Sequence, residues 1–341
     1  MEGKYIYGIV EASKEKLFNS GVGVYTIPHQ DISAVVSDSP FVDYTALPKD
    51  QVARYLLSHQ QVIERVMDFY TIIPMRLGTY AFNIEEVKEI LSKGYAIFKD
   101  VFRNIDNKIE IDVVATWNDL NSVIKEIGEE EEIKEIREEL MSKPEGLSIE
   151  DKMRIGRRVK EVLDKKREKI AFEMEGALKD VSIDFRKHDL MDDRMILNTA
   201  FLIDKDKKTE FERRLDELNE LYNGKIDFRC VGPLPTYSFY TAEIKKIRFD
   251  EIDWARKRLC LNDVITKDKI EKAYRNQALM CHPDRNPDLL GSDKEFNEVN
   301  KAYKLLLEYC LFTEQTGEVE KYSFKEEDVD KNAIVVVKMR E

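Results

Sequence analysis

Ile270-Glu271-Lys272-Ala273-Tyr274-Arg275-Asn276-Gln277-Ala278-Leu279-Met280-Cys281-His282-Pro283-Asp284-Arg285-Asn286-Pro287 is the stretch from which the chain is best read. Ile270, Ala273, Tyr274, Gln277 and Cys281 recur at spacings of three and four, the period of one helix face. Two more ladders flank it, Ile252, Ala255 and Leu259 before and Phe296, Val299, Tyr303, Leu306 and Cys310 after. Thr266 stands where an N-cap would satisfy the orphan donors of the second helix, and Ser292 with Glu295 reads as a capping box for the third. Pro283 and Pro287 cannot continue a helix, because proline lacks the N–H and biases its predecessor towards extended backbone. The expectation is an antiparallel helix pair whose connection presents His282, Pro283 and Asp284.

Over about sixty residues, this pattern resembles a DnaJ-type J-domain. Ala255 to Leu259, Ile270 to Arg275, Ala278-Leu279, His282 to Pro287, and Phe296, Val299, Asn300, Ala302, Tyr303 and Leu306 carry the resemblance together. A bare His-Pro-Asp triplet would say little, since ordinary turns produce it. The resemblance implies a loop that docks on a DnaK-type chaperone and stimulates its ATPase, with no chemistry of its own. The residue types suit docking: Asp284 can accept bidentate bonds from an arginine, Pro283 stiffens the loop, and His282 adds a donor or acceptor. Along the second helix Lys267, Lys269, Lys272 and Arg275 against Asp268 and Glu271 leave +2 in a chain of net charge −12. With Arg285 they form a basic face that would steer towards an acidic partner. Glu271, Asn276 and Met280 stand where the family often carries further basic residues, which points to a weak or selective partner.

The 341 residues suffice for two or three domains with their own cores. A net charge of −12 argues against general nucleic-acid binding, whose footprint is a clustered basic surface. No basic start followed by an apolar core is present, and no window approaches the ~18 apolar residues of a membrane span, so a cytoplasmic protein is expected. Cys230, Cys260, Cys281 and Cys310 are far apart with no Cys-x-x-Cys pair, so neither zinc nor a disulfide framework is indicated. Cys281 and Cys310 fall on apolar ladders and read as buried thiols. His29, His59 and His188 have no companions at metal-ligand spacing. No cofactor or metal is expected.

Taken in order, β-prone runs at Tyr5 to Val10, Val22 to Ile27 and Ile32 to Val36 begin a sheet, with His29-Gln30-Asp31 as a turn. Helical patterns follow from Lys49 and from near Ile84, and Ile109 to Trp117 alternates as a strand. Glu129 to Lys143 is acidic and reads as a solvated helix. Ser148 caps a long scaffold helix through Ile155, Val159, Val162, Ile170 and Met174 to Leu178. Strands are then expected at Val181 to Arg186, Met195 to Leu202 and Lys225 to Val231, with a helix from Thr209 to Tyr222. The fold class expected is α+β: two ferredoxin-like α+β domains with intervening long helices (1–118 and 119–246), an all-α helical-hairpin J-domain (250–312), and a polar tail (313–341). The β-prone Ala333 to Met339 is a possible strand returning to the second unit's sheet.

Gly232-Pro233-Leu234-Pro235-Thr236-Tyr237-Ser238-Phe239 reads as a rigid extended edge with Tyr237 and Phe239 pointing the same way. It also resembles the hallmark of the gas vesicle protein family F and L, although a tryptophan usually stands at Leu234 and a proline at Thr236. Tyr5 to Gly8, Ile32 to Ser37, His59-Gln60, Pro74-Met75-Arg76-Leu77-Gly78-Thr79 and Leu197 to Leu202 support it, in family order across about 1 to 245. Arg76 between Met75 and Leu77 reads as an anchoring ion pair or, second, a partner contact. The resemblance implies a two-domain accessory protein that helps assemble gas vesicles and binds their small, very apolar shell protein alongside other accessory proteins. No carboxylate pair, nucleophile or phosphate loop is recognisable in the sequence, so a non-enzymatic role is expected. Two readings stand: an adaptor that delivers shell subunits to a DnaK-type chaperone, and a minor vesicle component or nucleation scaffold whose J-like helices only dock intramolecularly.

Overall fold

The computed structural model describes residues 2–12, 17–18, 23–142, 148–282, 292–315, 319–331 and 334–339. The chain divides into two compact units, one made of Met1–Val62, Met75–Asp100 and Ala242–Met339, the other of Ile63–Pro74 and Val101–Thr241 with the last two residues.

The first unit opens on an antiparallel sheet. β1 (Glu2–Val10) pairs with β4 (Ile32–Pro40), which pairs with β3 (Val24–His29), which pairs with the short β2 (Leu17–Phe18). β1 from Tyr5 to Val10 and β4 from Ile32 to Ser37 are buried at every residue, so this part of the sheet is covered on both faces. The turn between β3 and β4 carries Gln30 at φ 55°. α1 (Lys49–Met67) and β5 (Ile72–Pro74) follow, then β6 (Tyr80–Ala81), which pairs with β1, and α2 (Ile84–Ile105), which buries Val87, Ile90, Leu91 and Phe98.

The second unit is built on β7 (Lys108–Trp117), α3 (Leu120–Gly128), α4 (Glu131–Met141), α5 (Ile149–Lys179), β8 (Asp184–Lys187), β9 (Met195–Asp204), α6 (Lys208–Tyr222) and β10 (Ile226–Leu234). Its sheet has the order β10-β7-β9-β8, all antiparallel. Helical connections after the first and third strands and this order make a ferredoxin-like βαββαβ layer. The sequence reading placed the 109–117 strand with the N-terminal domain; its pairing with β9 and β10 puts it at the centre of the second sheet. Its inward face, Ile109, Ile111, Val113, Ala115 and Trp117, packs with Leu163, Met174 and Leu178 of α5 and Phe211 and Leu215 of α6. α5 is thus the scaffold helix expected, and its Ser148 and Asp151 form the reciprocal capping box. α4 buries Ile133 and Leu140, so its acidic surface is one face of a packed helix.

β11 (Thr241–Lys246) leads into α7 (Phe249–Arg258), β12 (Val264–Ile265), α8 (Lys267–Cys281), α9 (Ser292–Gln315), β13 (Tyr322–Ser323), α10 (Glu326–Lys331) and β14 (Ile334–Met339). α8 and α9 run antiparallel, since Lys267 meets Glu314, Tyr274 stacks on Tyr303 at 4.0 Å and His282 meets Phe296 at 5.0 Å. Thr266 does occupy the N-cap position of α8, but its side chain makes no capping bond. Ser292 is already the first residue of α9 rather than its cap.

Two outcomes at the C-terminus differ from the sequence reading. Tyr322, Phe324 and Val329 lie in the same core as Ile252, Leu259, Ile270, Val299 and Leu306. The stretch read as a polar tail therefore completes the helical domain, because three apolar residues among many charges still bury more than the backbone pairing alone would order. β14 pairs with β11 of the first unit, not with the second sheet.

Candidate functional site

α8 carries the basic face read from sequence. Ile270 and Cys281 are turned into the core, and this places Lys269, Lys272, Arg275, Asn276 and Met280 on the exposed side. Lys267 is not free to steer a partner, since Glu314 at 3.1 Å holds it and raises its pKa. Arg275 reaches Glu271 at 3.4 Å across one helical turn. Among the described residues Lys269 and Lys272 carry no ion pair, so they hold the open positive charge of this face. Exposed pairs of this kind contribute little stability. His282 sits half-buried after the last turn of α8 with its ring edge on Phe296. Pro283, Asp284 and Arg285 lie outside the described residues. Cys281 and Cys310 are buried, and burial pushes the Cys310 thiol up to about 12, so it is inert.

The helical domain is tied down at its entry. Met75 bridges Ala242 in parallel, the Arg76 amide donates to the Ala242 carbonyl at 2.9 Å, and the Arg76 guanidinium pairs with Glu243 at 2.6 Å. Lys245 on the same strand pairs with Glu308 of α9. Pro74 ends β5, and Gly78 takes φ +86° where a Cβ would come within 3.1 Å of the Tyr44 ring. Next to them lies His59, read from sequence as having no companions at metal-ligand spacing and buried here with both ring nitrogens satisfied. Its Nε2–H donates to the Met75 carbonyl at 2.9 Å, and its Nδ1 accepts from the Tyr5 hydroxyl at 2.7 Å. Burial lowers its pKa to about 4.

The sign of the consequence is fixed by the neutral ring. The unfolded histidine takes a proton near 6.5 and the folded one near 4, so the unfolded state binds more protons across that window. Stability of the first unit should be full above about pH 6.5 and fall as the pH drops, by roughly 3 kcal/mol when pH 4 is reached. Urea unfolding of wild type and His59→Gln at pH 7.5 and 4.5 checks this: the gap between the two should shrink or reverse at the lower pH, and a constant gap would contradict it.

In the second unit, Gly232, Pro233 and Leu234 end β10, and residues 235–240 form a turn rather than the extended edge expected. Amides of Phe239 and Tyr240 donate to the Thr236 carbonyl, closing the chain on itself. Pro235 and Thr236 are buried, Phe239 packs on Ala200 and Leu202 of β9, and Tyr237 is largely turned away from solvent. The segment lies on the sheet face opposite the helices. Glu110, two residues before Asp112 on β7, accepts from the Ser238 amide and from the Ser238 hydroxyl, both at 2.8 Å. This carboxylate pair was missed in the sequence because Glu-x-Asp in an apolar strand looks like ordinary alternation; only the sheet shows that its outer face is covered.

A family profile described as gas vesicle synthesis protein GvpL/GvpF matches residues 3–241. The chain belongs to the GvpL/GvpF family. Its similarity to gas vesicle protein F of Microcystis aeruginosa is 24% identity over 243 residues, covering 70% of this chain and 97% of that protein. Gas vesicle protein L1 of Halobacterium salinarum is 25% identical over 255 residues, with 70% and 90% covered. The crystal structure of GvpF from Anabaena sp. superposes with a TM-score of 0.60 at 23% identity, over 70% of this chain and 98% of that one, so the two share the fold. A second match lies further along the chain: a DnaJ domain profile covers residues 257–309. Within it 48 residues are 50% identical to the chaperone protein DnaJ of Chlorobium phaeobacteroides, 14% of this chain and 12% of that protein. This GvpL/GvpF chain therefore carries a J-domain. No helix among the described residues is long and apolar enough to cross a membrane.

Proposed function

We propose that the chain is a gas vesicle assembly protein that binds the apolar shell protein through its GvpL/GvpF region and, through its J-domain, recruits a DnaK-type chaperone and stimulates its ATPase. The observation that carries this reading is that one chain holds both matches, GvpL/GvpF at 3–241 and DnaJ at 257–309. Shell subunits with large apolar surfaces aggregate unless held, and a tethered J-domain brings the holding machine to them. In this reading Lys269 and Lys272 steer the chaperone onto α8, Arg275 and Arg285 add to that field, and His282, Pro283 and Asp284 make the contact that triggers hydrolysis. Gly232, Pro233, Pro235, Tyr237, Phe239, Pro74, Arg76 and Gly78 serve the GvpL/GvpF half, the buried ones by shaping it.

The test is phosphate release by a DnaK-type chaperone. Wild-type protein should stimulate it several-fold, His282→Gln should abolish the stimulation, and Lys269→Glu with Lys272→Glu should reduce it by about tenfold, in keeping with two reversed steering charges. Absence of stimulation by wild type would remove the co-chaperone half. Co-purification of shell protein without chaperone would favour the scaffold reading.

A further inference from the structure

Ser238 closes a clasp over Glu110. On the face of the second sheet that lies away from its helices, Glu110 is only 1% exposed, although its neighbours along β7 on that face are polar. Both its oxygens are taken by one residue, Oε2 by the Ser238 amide and Oε1 by the Ser238 hydroxyl, each at 2.8 Å. The same hydroxyl lies 3.3 Å from His188 Nε2. Asp112 stands beside Glu110, and its Oδ1 is buried with no hydrogen-bond partner among the described residues. Two carboxylates this close and this dry cannot both ionise cheaply. The next residue, Phe239, covers Ala200 and Leu202 and has the Arg186 guanidinium over its ring at 5.7 Å. When Ser238 lets go, Phe239 loses its seat.

The more distant charges around the pair balance instead of deciding the matter. By register, β7 itself adds Lys108, β9 adds Asp204, and β8 adds Asp184 and Arg186 to this face. At the far end of β10 stand Asp227 and Arg229, Glu64 of α1 approaches the Tyr237 hydroxyl, and the His188 ring reaches in from the segment after β8. Asp204, Asp184, Asp227 and Glu64 face Lys108, Arg186 and Arg229, a near balance beside which the burial of Glu110 and its neighbour Asp112 dominate.

We propose that Glu110, Asp112 and Ser238 form a proton-operated clasp: with one proton on the carboxyl pair the 235–240 segment lies on the sheet, and loss of that proton releases it and uncovers the Ala200–Leu202 strip. The direction agrees with the titration. Burial pushes the Glu110 carboxyl up to about 8 against the pull of the Ser238 hydrogen bonds, with the charge of Asp112 adding to the rise, and Asp112 is raised as well. A released Glu110 would titrate near its usual 4.5, so the closed form binds more protons between about 4.5 and about 8 and closure weakens as the pH rises through that range. Ideal linkage makes this about tenfold per pH unit, levelling off above about 8.

Amide hydrogen exchange of residues 236–241, corrected for the intrinsic pH effect, reads the clasp in the full-length protein. Wild-type protection should fall by about tenfold from pH 6.5 to 7.5 and flatten above pH 8.5. Glu110→Gln keeps an acceptor for Ser238 and carries no charge, so its protection should stay high and constant. Ser238→Ala should show low protection already at pH 6.5, while amides of β9 stay protected in both variants. Constant protection in wild type would overturn the proposal, and so would a pH dependence that persists unchanged in Glu110→Gln.

Discussion

A chain ending at Gln315 is expected to lose the folded J-domain, although every residue of the DnaJ match is retained. Tyr322, Phe324 and Val329 fill the core under α7 and α9, with Phe324 1% exposed and its ring 5.7 Å from that of Tyr309. The Tyr309 hydroxyl donates to the Ser323 carbonyl at 2.7 Å, the Phe324 amide donates to the Asp263 carbonyl at 2.7 Å, and β13 pairs with β12 between α7 and α8. Tyr322 further donates to Glu314, the residue that holds Lys267. Phe324→Ala alone should cost about 3–5 kcal/mol through lost transfer energy and the cavity left behind. That is a large share of the roughly 5–15 kcal/mol that holds a domain together. Urea unfolding followed by amide exchange in α8 and α9 measures it. Undiminished protection of Ile270 to Cys281 and of Phe296 to Leu306 in the shortened chain would show that the extension is ornamental. The consequence for function is direct: a fragment cut at the end of α9 should fail to stimulate a chaperone for want of a fold, whatever the His282 loop can do.

Gly232→Ala is the second substitution with a large expected effect, about 2–5 kcal/mol of the second unit's stability, the sum of a backbone and a packing cost. Gly232 takes φ +153°, a region that side chains disfavour by about 1–3 kcal/mol. A Cβ there would also meet the Glu110 carbonyl oxygen at 2.9 Å and Ile111 Cα at 3.3 Å. Both obstacles are backbone at the centre of β7, which β9 and β10 hold from either side, so little can give way. The strain falls next to the Glu110–Ser238 contact, and the variant should also lower exchange protection in 236–241. A thermal transition unchanged to within a degree or two would contradict this account.

Much of the chain was legible because its signals are local. The 3.6-residue period picks out α5, α6, α8 and α9, and alternation picks out β7 and β9, within a few residues of their ends. Ser148 announces the N-cap of α5 from sequence, and the apolar positions of Cys281 and Cys310 announce their burial. Thr266 and Ser292 mislead in detail, since a capping pattern specifies which residue types can cap and not which backbone turn the preceding loop delivers.

The amino-acid sequence by itself determined the family, the presence of a J-domain with its cationic α8, and the two kinds of layer, because helix and strand periods and short motifs are written in neighbouring residues. Tertiary structure alone decided that the 108–117 strand centres the second sheet, that Tyr322 to Val329 complete the J-domain core, that Glu314 pairs with Lys267 of α8, and that Glu110 is buried under Ser238. Each of these joins residues far apart in the chain, and their pairing follows from which surfaces are left to bury once the local elements have formed; no neighbouring residue encodes it.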